Sequence, residues 1–253
     1  MDIGNRENAG EGMKILNRDV IKYIAMFTML LNHTAHALMN PGTILYEVFE
    51  DIGFFTAPVM CFFLVEGFGY TRSRTKYGQR LIVFAALSQI PYMLALHENN
   101  LSVMFTLLCC FLILVGMERI VDPIVRVLIC AMLVFATSAG DWAYIAPILT
   151  IFLYHSKGNT KNTTIGFVAA YAIFVPFQIQ KYMNGVPGDW TIHAIVHGML
   201  SGAGILAAAA VVLVLYNGQR AKRGRNFSKW FFYIFYPAHL TVLYLIGVYI
   251  TNL

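Results

Sequence analysis

His33 and His36 sit in the run LLNHTAHAL, directly after Asn32. An imidazole changes charge near neutral pH, so it can take a proton from an amine or a hydroxyl at the moment of attack. On a helix His33 and His36 are related as i,i+3, and Asn32 and His36 as i,i+4, which puts the three on neighbouring faces. The plain alternative is a histidine pair that only hydrogen-bonds to adjacent helices. His239, in KWFFYIFYPAHL, follows Pro237 by two residues. Proline lacks an N–H and leaves a carbonyl free one turn back, so His239 stands beside an expected helix kink. His193 and His197, in DWTIHAIVHG, have the i,i+4 spacing of a metal pair. No third ligand accompanies them, so no metal is expected; they read as a second wall of the same cavity or as residues at an interface. Glu66, in FFLVEGFGY, is a further candidate for holding a substrate, with pairing to a basic loop as its plain alternative.

Two basic segments could meet phosphate. Thr71–Arg80 reads TRSRTKYGQR and carries Arg72, Arg74, Lys76 and Arg80. Guanidinium forks suit phosphate oxygens. The later segment QRAKRGRNFSK, ending at Lys229, invites the same reading. Setting membrane orientation explains both segments equally well, and binding of anionic membrane lipid is a third reading of the second.

The elements that must position these residues follow from composition. The chain has 253 residues, of which 58% are hydrophobic and 12% charged, and its mean hydropathy is +0.63. Soluble domains carry about 25% charged residues. Soluble enzymes and nucleic-acid modules are therefore excluded, and the net charge of +5 does not imply a nucleic-acid partner. An all-α, polytopic transmembrane bundle of about nine to ten helices is expected. A crossing needs roughly 20 apolar residues. Nine candidate segments run Val20–Met39, Ile52–Tyr70, Tyr77–Leu96, Ser102–Met117, Pro123–Ser138, Trp142–Tyr154, Thr164–Ile179, Ile192–Tyr216 and Trp230–Leu253. An additional amphipathic piece is expected around Tyr46–Ile52, where Glu47, Glu50 and Asp51 fall. With nine crossings, all but Lys181 of the 18 basic residues lie on one side. The positive-inside rule makes that side cytoplasmic, with the N-terminus there and the protein multi-pass in the cell membrane. Residues 1–17 read as a flexible cytoplasmic tail and 18–253 as one membrane domain. Cys61, Cys109, Cys110 and Cys130 all lie in apolar runs and read as buried thiols.

The runs IKYIAMFTMLLNHTAHAL, CFFLVEGFGYTRSRTKYGQRLIVFAALSQIPY, FTLLCCFLIL and KWFFYIFYPAHL resemble the TraX family in order and spacing, across most of the chain. The aromatic-rich segment with Tyr-Pro-x-His-Leu carries the most specific likeness. More distantly the pattern is similar to acyltransferase 3 and heparan-α-glucosaminide acetyltransferase. TraX proteins acetylate the N-terminal amine of conjugative pilin, and the more distant enzymes take acetyl from cytoplasmic acetyl-CoA and deliver it across the membrane. The resemblance thus implies a membrane acetyltransferase with acetyl-CoA as acyl donor and a peptide N-terminus or a glycan outside the cytoplasm as acceptor. It matches His33 to the catalytic histidine, with His36 as the substitute. Asn32 departs from the acidic residue expected there, so an amide would fix the imidazole or hold the acetyl carbonyl. The resemblance also implies that Arg72, Arg74, Lys76, Arg80 and Lys229 hold coenzyme A, and that Asn32 or His239 steadies the developing oxyanion. The substrate does not transfer with the fold, so pilin itself is not implied.

Two other classes fit parts of the pattern. A transporter of a small polar solute or a proton-coupled carrier would use the same intramembrane histidines and Glu66 as a relay. Against it, the halves show no matching hydropathy and no paired broken helices. A membrane scaffold would leave the histidines without a role.

Overall fold

A computed structural model describes residues 14–156, 158–185 and 192–251. Most of the expected tail, together with Arg6 and Lys157, lies outside the described residues. The rest is helical. Among the described residues, extended pairing is confined to two isolated bridges, Leu16 with Tyr216 and Leu101 with Gly140. The helices are α1 (Arg18–Leu38), α2 (Ile44–Gly53), α3 (Thr56–Tyr70), α4 (Arg74–Leu96), α5 (Val103–Arg119), α6 (Pro123–Ala136), α7 (Ile145–Ser156), α8 (Thr160–Gly185), α9 (Ile192–Ser201), α10 (Ala203–Ala210) and α11 (Arg225–Thr251).

Local chemistry sets the starts. Asn17 caps α1, its side chain accepting from the Asp19 and Val20 N–H groups at 3.0 Å. Thr43 and Ser73 cap α2 and α4 in the same way, and Asp122 caps α6 just ahead of Pro123. The amphipathic piece expected near Tyr46–Ile52 is α2. One expected boundary moves: the segment placed at Trp142–Tyr154 becomes helical only from Ile145, because Trp142 and Tyr144 adopt φ of 58° and 61°.

Among the described residues, five stretches are long and apolar enough to cross a membrane: Ile44–Tyr70, Arg74–Leu96, Thr160–Asn184, Ile192–Leu215 and Asn226–Ile250. The other helices answering to expected segments fall short on one count or the other. α5, α6 and α7 have 17, 14 and 12 residues. α1 has 21 residues, but Asn32, His33 and His36 dilute its apolar character.

α3 is the central rod, in contact with α1, α5, α7 and α10. Its residues Val59, Cys61 and Phe63 are almost completely removed from solvent. α11 packs against both α1 and α4, and this brings the last helix back onto the first. α6 buries no residue and lies at the edge of the bundle. Two glycines permit close approach. A Cβ on Gly53 would lie 2.2 Å from Asn32 Cβ, so only glycine lets the end of α2 meet α1. A Cβ on Gly204 would lie 2.8 Å from the backbone of Phe54 and Phe55, so α10 rests directly on the α2–α3 joint.

Candidate active site

The centre of the bundle is a hydrogen-bonded chain across α1 and α11. His239 Nδ1 lies 2.7 Å from the carbonyl oxygen of Phe235. A carbonyl only accepts, so Nδ1 carries the proton. In a neutral His239 the Nε2 atom is then an acceptor, and it lies 2.7 Å from His33 Nδ1. His33 therefore donates through Nδ1, and its Nε2 keeps a lone pair. That is the arrangement a general base needs. The two rings are nearly parallel, at 3°. They are 5% and 7% exposed. Pro237 contributes as expected of an intrahelical proline, since its missing N–H relaxes the hydrogen bonding of α11 one turn from His239.

Two cavities lie close to this pair; His33 lines one of them and His239 neither. One, of about 390 Å³, runs along the half of α1 nearer Arg18 and is lined by Arg18, Lys22, Arg72, Arg80, Arg220 and Lys229. The other, of about 220 Å³, lies toward the far end of α1 and contains Asn32, His33, His36, Glu50, Asp141 and Lys181. They are separate, yet Met29, Thr56, Ala57 and Val103 line both. Met29 is one helical turn below His33 on the same face. The wall is stiffened by a polar cluster: the Thr28 and Thr56 hydroxyls lie 2.9 Å apart, and both lie within 2.9 Å of the Ala25 carbonyl.

The basic cavity combines cations with aromatic faces. Lys22 Nζ sits 5.6 Å from the Phe63 ring centre and 5.0 Å from that of Phe232. The Arg80 guanidinium lies 5.5 Å from the Tyr77 ring and 5.8 Å from Tyr233. Of the basic residues expected to bind phosphate, Arg72, Arg80 and Lys229 line this cavity. Arg74 and Lys76 do not. Arg74 is ion-paired with Glu118 and covers the Phe68 ring at 4.4 Å, and Lys76 is exposed in the first turn of α4. Arg18, Lys22 and Arg220 line it as well; Arg220 belongs to the second basic segment, whereas sequence reasoning gave Arg18 and Lys22 only an orienting role.

The acidic cavity is organised around Glu50. This carboxylate is 2% exposed. Its Oε1 lies 3.2 Å from His36 Nε2 and accepts from Lys181 Nζ at 2.7 Å. The Tyr46 hydroxyl lies 3.1 Å from His36 Nδ1. Both nitrogens of His36 are thus engaged, which favours His33 over His36 as the proton acceptor. Asn32 Nδ2 donates to the Glu50 carbonyl oxygen at 3.0 Å, so the amide pins α2 to α1. Asp141, in the connection before α7, accepts from the Trp142 N–H at 2.8 Å. Burial pushes its carboxyl up to about 6.

Three expected substrate residues lie elsewhere. Glu66 stands at the basic end, 3.4 Å from Arg18 Nε, and accepts from the Tyr216 hydroxyl at 2.5 Å. His193 is exposed on α9. His197 stacks on Tyr182 at 4.8 Å and lies 3.6 Å from a Glu47 carboxylate oxygen. None of the three lines either cavity, because i,i+4 spacing fixes a helix face but not what the face meets. Sequence reasoning missed Glu50, Lys181 and Asp141 as cavity residues. Lys181 carried a signal, being the one basic residue on its side in the nine-crossing arrangement.

Comparison with known proteins agrees with this architecture. Over 237 residues, or 88% of this chain and 92% of the relative, the sequence is 30% identical to the "Probable fimbrial assembly protein FimC, serogroup H1" of Dichelobacter nodosus. No solved structure matches it. The model of the family described as "TraX protein" matches residues 17–247, from the cap of α1 into the last turns of α11. The chain, helical and with stretches long and apolar enough to cross a membrane, therefore belongs to the TraX family, and it is related to a fimbrial assembly protein.

Proposed function

We propose that this protein is an integral membrane acetyltransferase that moves acetyl from cytoplasmic acetyl-CoA to an amine or hydroxyl acceptor on the other side of the membrane. The observation that carries this reading is the pair of cavities on opposite halves of α1, which share Met29, Thr56, Ala57 and Val103 as a common wall, with His33 lining the acidic one. A donor and an acceptor that live in different compartments can react at such a wall without opening a pore through it.

In this reading α1, α3 to α8, the α9–α10 stretch and α11 each cross the membrane, and the basic end faces the cytoplasm by the positive-inside rule. The phosphates of coenzyme A lie among Arg18, Arg72, Arg80, Arg220 and Lys229, and the thioester reaches up toward Met29. The acceptor enters the acidic cavity. Its nitrogen or oxygen attacks the thioester carbon while His33 Nε2 takes the proton; the C–S bond breaks, and the proton passes to the coenzyme A sulfur. When His33 takes the proton, its Nδ1 proton can shift to His239 Nε2 and spread the charge over two rings. His239 acts here as a positioning residue, fixing the tautomer of His33. The fimbrial-assembly name of the relative favours a peptide amine as the acceptor.

The test uses the purified full-length protein in lipid nanodiscs, with radiolabelled acetyl-CoA and either a short peptide bearing a free N-terminal amine or an amino sugar. Acceptor-dependent release of coenzyme A that His33→Ala abolishes and His36→Ala only reduces is the expected result. Solute flux without coenzyme A release would mean a transporter, and labelled product without dependence on His33 would remove the assigned base.

A further inference from the structure

Acyl transfer places a negative charge on the thioester oxygen, and that oxygen needs a hydrogen-bond donor. Of the two residues expected to supply one, His239 spends its N–H on Phe235, and Asn32 spends one Nδ2 hydrogen on the Glu50 carbonyl and lines the acidic cavity, not the basic one. Two buried hydroxyls near the wall, those of Ser102 and Tyr236, have no hydrogen-bond partner among the described residues. Tyr236 is 3% exposed and lines the basic cavity, whereas Ser102 lines neither cavity. The Ser102 hydroxyl and the Val103 backbone are close enough to act on the Tyr236 oxygen electrostatically, without hydrogen-bond geometry. An unpaired buried hydroxyl costs about 1–3 kcal/mol, and native structures rarely leave one without a reason.

The position of this hydroxyl supplies a reason. Tyr236 lines the basic cavity, and Val103, beside it, lines both cavities. Its ring stands edge-on to both imidazoles, with centres 5.9 Å from His33 and 5.6 Å from His239. It sits three residues before His239 on α11, so the same helix carries the group that fixes the base and the free donor. Building on the acetyltransferase reading above, we propose that Tyr236 is a catalytic residue whose hydroxyl donates a hydrogen bond to the thioester carbonyl oxygen.

As the acceptor attacks, the carbonyl π pair moves onto that oxygen and Tyr236 O–H binds it. When the C–O double bond re-forms, coenzyme A leaves as thiolate and takes the proton held by His33. Tyr236 keeps its own proton throughout. The hydroxyl has no partner among the described residues because its partner is the transition state.

The test is Tyr236→Phe in the full-length protein in nanodiscs, which removes one oxygen and keeps the ring. The rate constant kcat for acceptor-dependent coenzyme A release is expected to fall about 100- to 1,000-fold. KM for acetyl-CoA is expected to stay within twofold, and the melting temperature to hold or rise, since a purely structural hydroxyl would lower it when lost. A kcat within threefold of the unsubstituted protein, or a change confined to KM, overturns the assignment. Ser102→Ala, run in parallel, is expected to leave kcat unchanged; a loss equal to that of Tyr236→Phe would move the donor to Ser102 and overturn the proposal. If His33→Ala is inactive while Tyr236→Phe is fully active, only this inference falls. If the unsubstituted protein releases no coenzyme A with any acceptor, the acetyltransferase reading falls with it.

Discussion

His33 Nδ1 lies 2.7 Å from His239 Nε2, joining two residues 206 positions apart in the chain. Because the Phe235 carbonyl accepts the Nδ1 proton of His239, leaving its Nε2 as an acceptor, this contact decides which nitrogen of His33 is free. It makes the last helix part of the site built on the first.

Substitution of the pair tests that relationship. Loss of a general base removes about 100- to 10,000-fold in rate, so His33→Ala is expected to fall by that order in coenzyme A release. His239→Ala is expected to lower kcat and leave KM for acetyl-CoA unchanged, since it frees His33 Nδ1 without touching the donor cavity. His239→Gln keeps an acceptor for Nδ1 and is expected to recover part of the loss. Steady-state kinetics on the three variants give the answer; a change in KM alone for His239→Ala would break the assignment.

The basic cavity makes a second, graded prediction. A hydrogen bond to a charged group contributes roughly 1.5–3 kcal/mol, or about tenfold and upward in affinity. Arg80→Ala and Lys229→Ala are each expected to raise KM for acetyl-CoA by about that factor, and added salt to raise it for the unsubstituted protein. Arg74→Ala is expected to change it less than twofold, because Arg74 is paired with Glu118 and does not line the cavity. Equal effects at Arg74 and Arg80 would refute the location of the phosphate site.

Packing at the α2–α3 joint is testable through Gly204. An added Cβ would lie 2.8 Å from main-chain atoms of Phe54 and Phe55, which cannot move aside as a flexible side chain would. Gly204→Ala is expected to destabilise by about 1–3 kcal/mol. Gly69→Ala, where a Cβ meets nothing within 4 Å, is expected to be neutral or slightly stabilising. Thermal melts in one detergent distinguish the two.

Asp141 predicts a pH dependence. Its carboxyl is raised from 3.8 to about 6 by burial. Between those values the folded state holds a proton that the unfolded state has released. Stability therefore falls as pH rises from about 4 to about 6, by about 2 kcal/mol at most. Asp141→Asn keeps an oxygen acceptor for the Trp142 N–H but has no charge to bury. Its melting temperature is expected to equal that of the unsubstituted protein near pH 4 and to exceed it at pH 7. Parallel pH curves for the two proteins would show that Asp141 does not titrate in this range.

Much of the architecture was legible because it depends on one-dimensional properties. Apolar runs separated by basic turns place helices without reference to tertiary contacts, and the expected start at Pro123 is kept, whereas Asn17 and Ser73 cap helices that begin at Arg18 and Arg74, ahead of the expected Val20 and Tyr77. The amphipathic α2 was visible in its own acidic residues. The start of α7 was not, since nothing local demands left-handed φ at Trp142 and Tyr144.

The site divides along the same line. The sequence by itself determined that imidazoles lie within apolar helices, that the basic residues gather at one end, and that Pro237 sets His239 beside a kink. Those follow from residue type and short-range spacing. Only the tertiary structure decided that His239 meets His33, that Glu50 is held by His36 and Lys181, that Glu66, His193 and His197 stand apart, and that Tyr236 keeps a free hydroxyl. Helix periodicity fixes which way a side chain faces on its own rod, and which rod it faces is set by the packing of α11 and α2 against α1, a choice made by summed burial over the whole bundle.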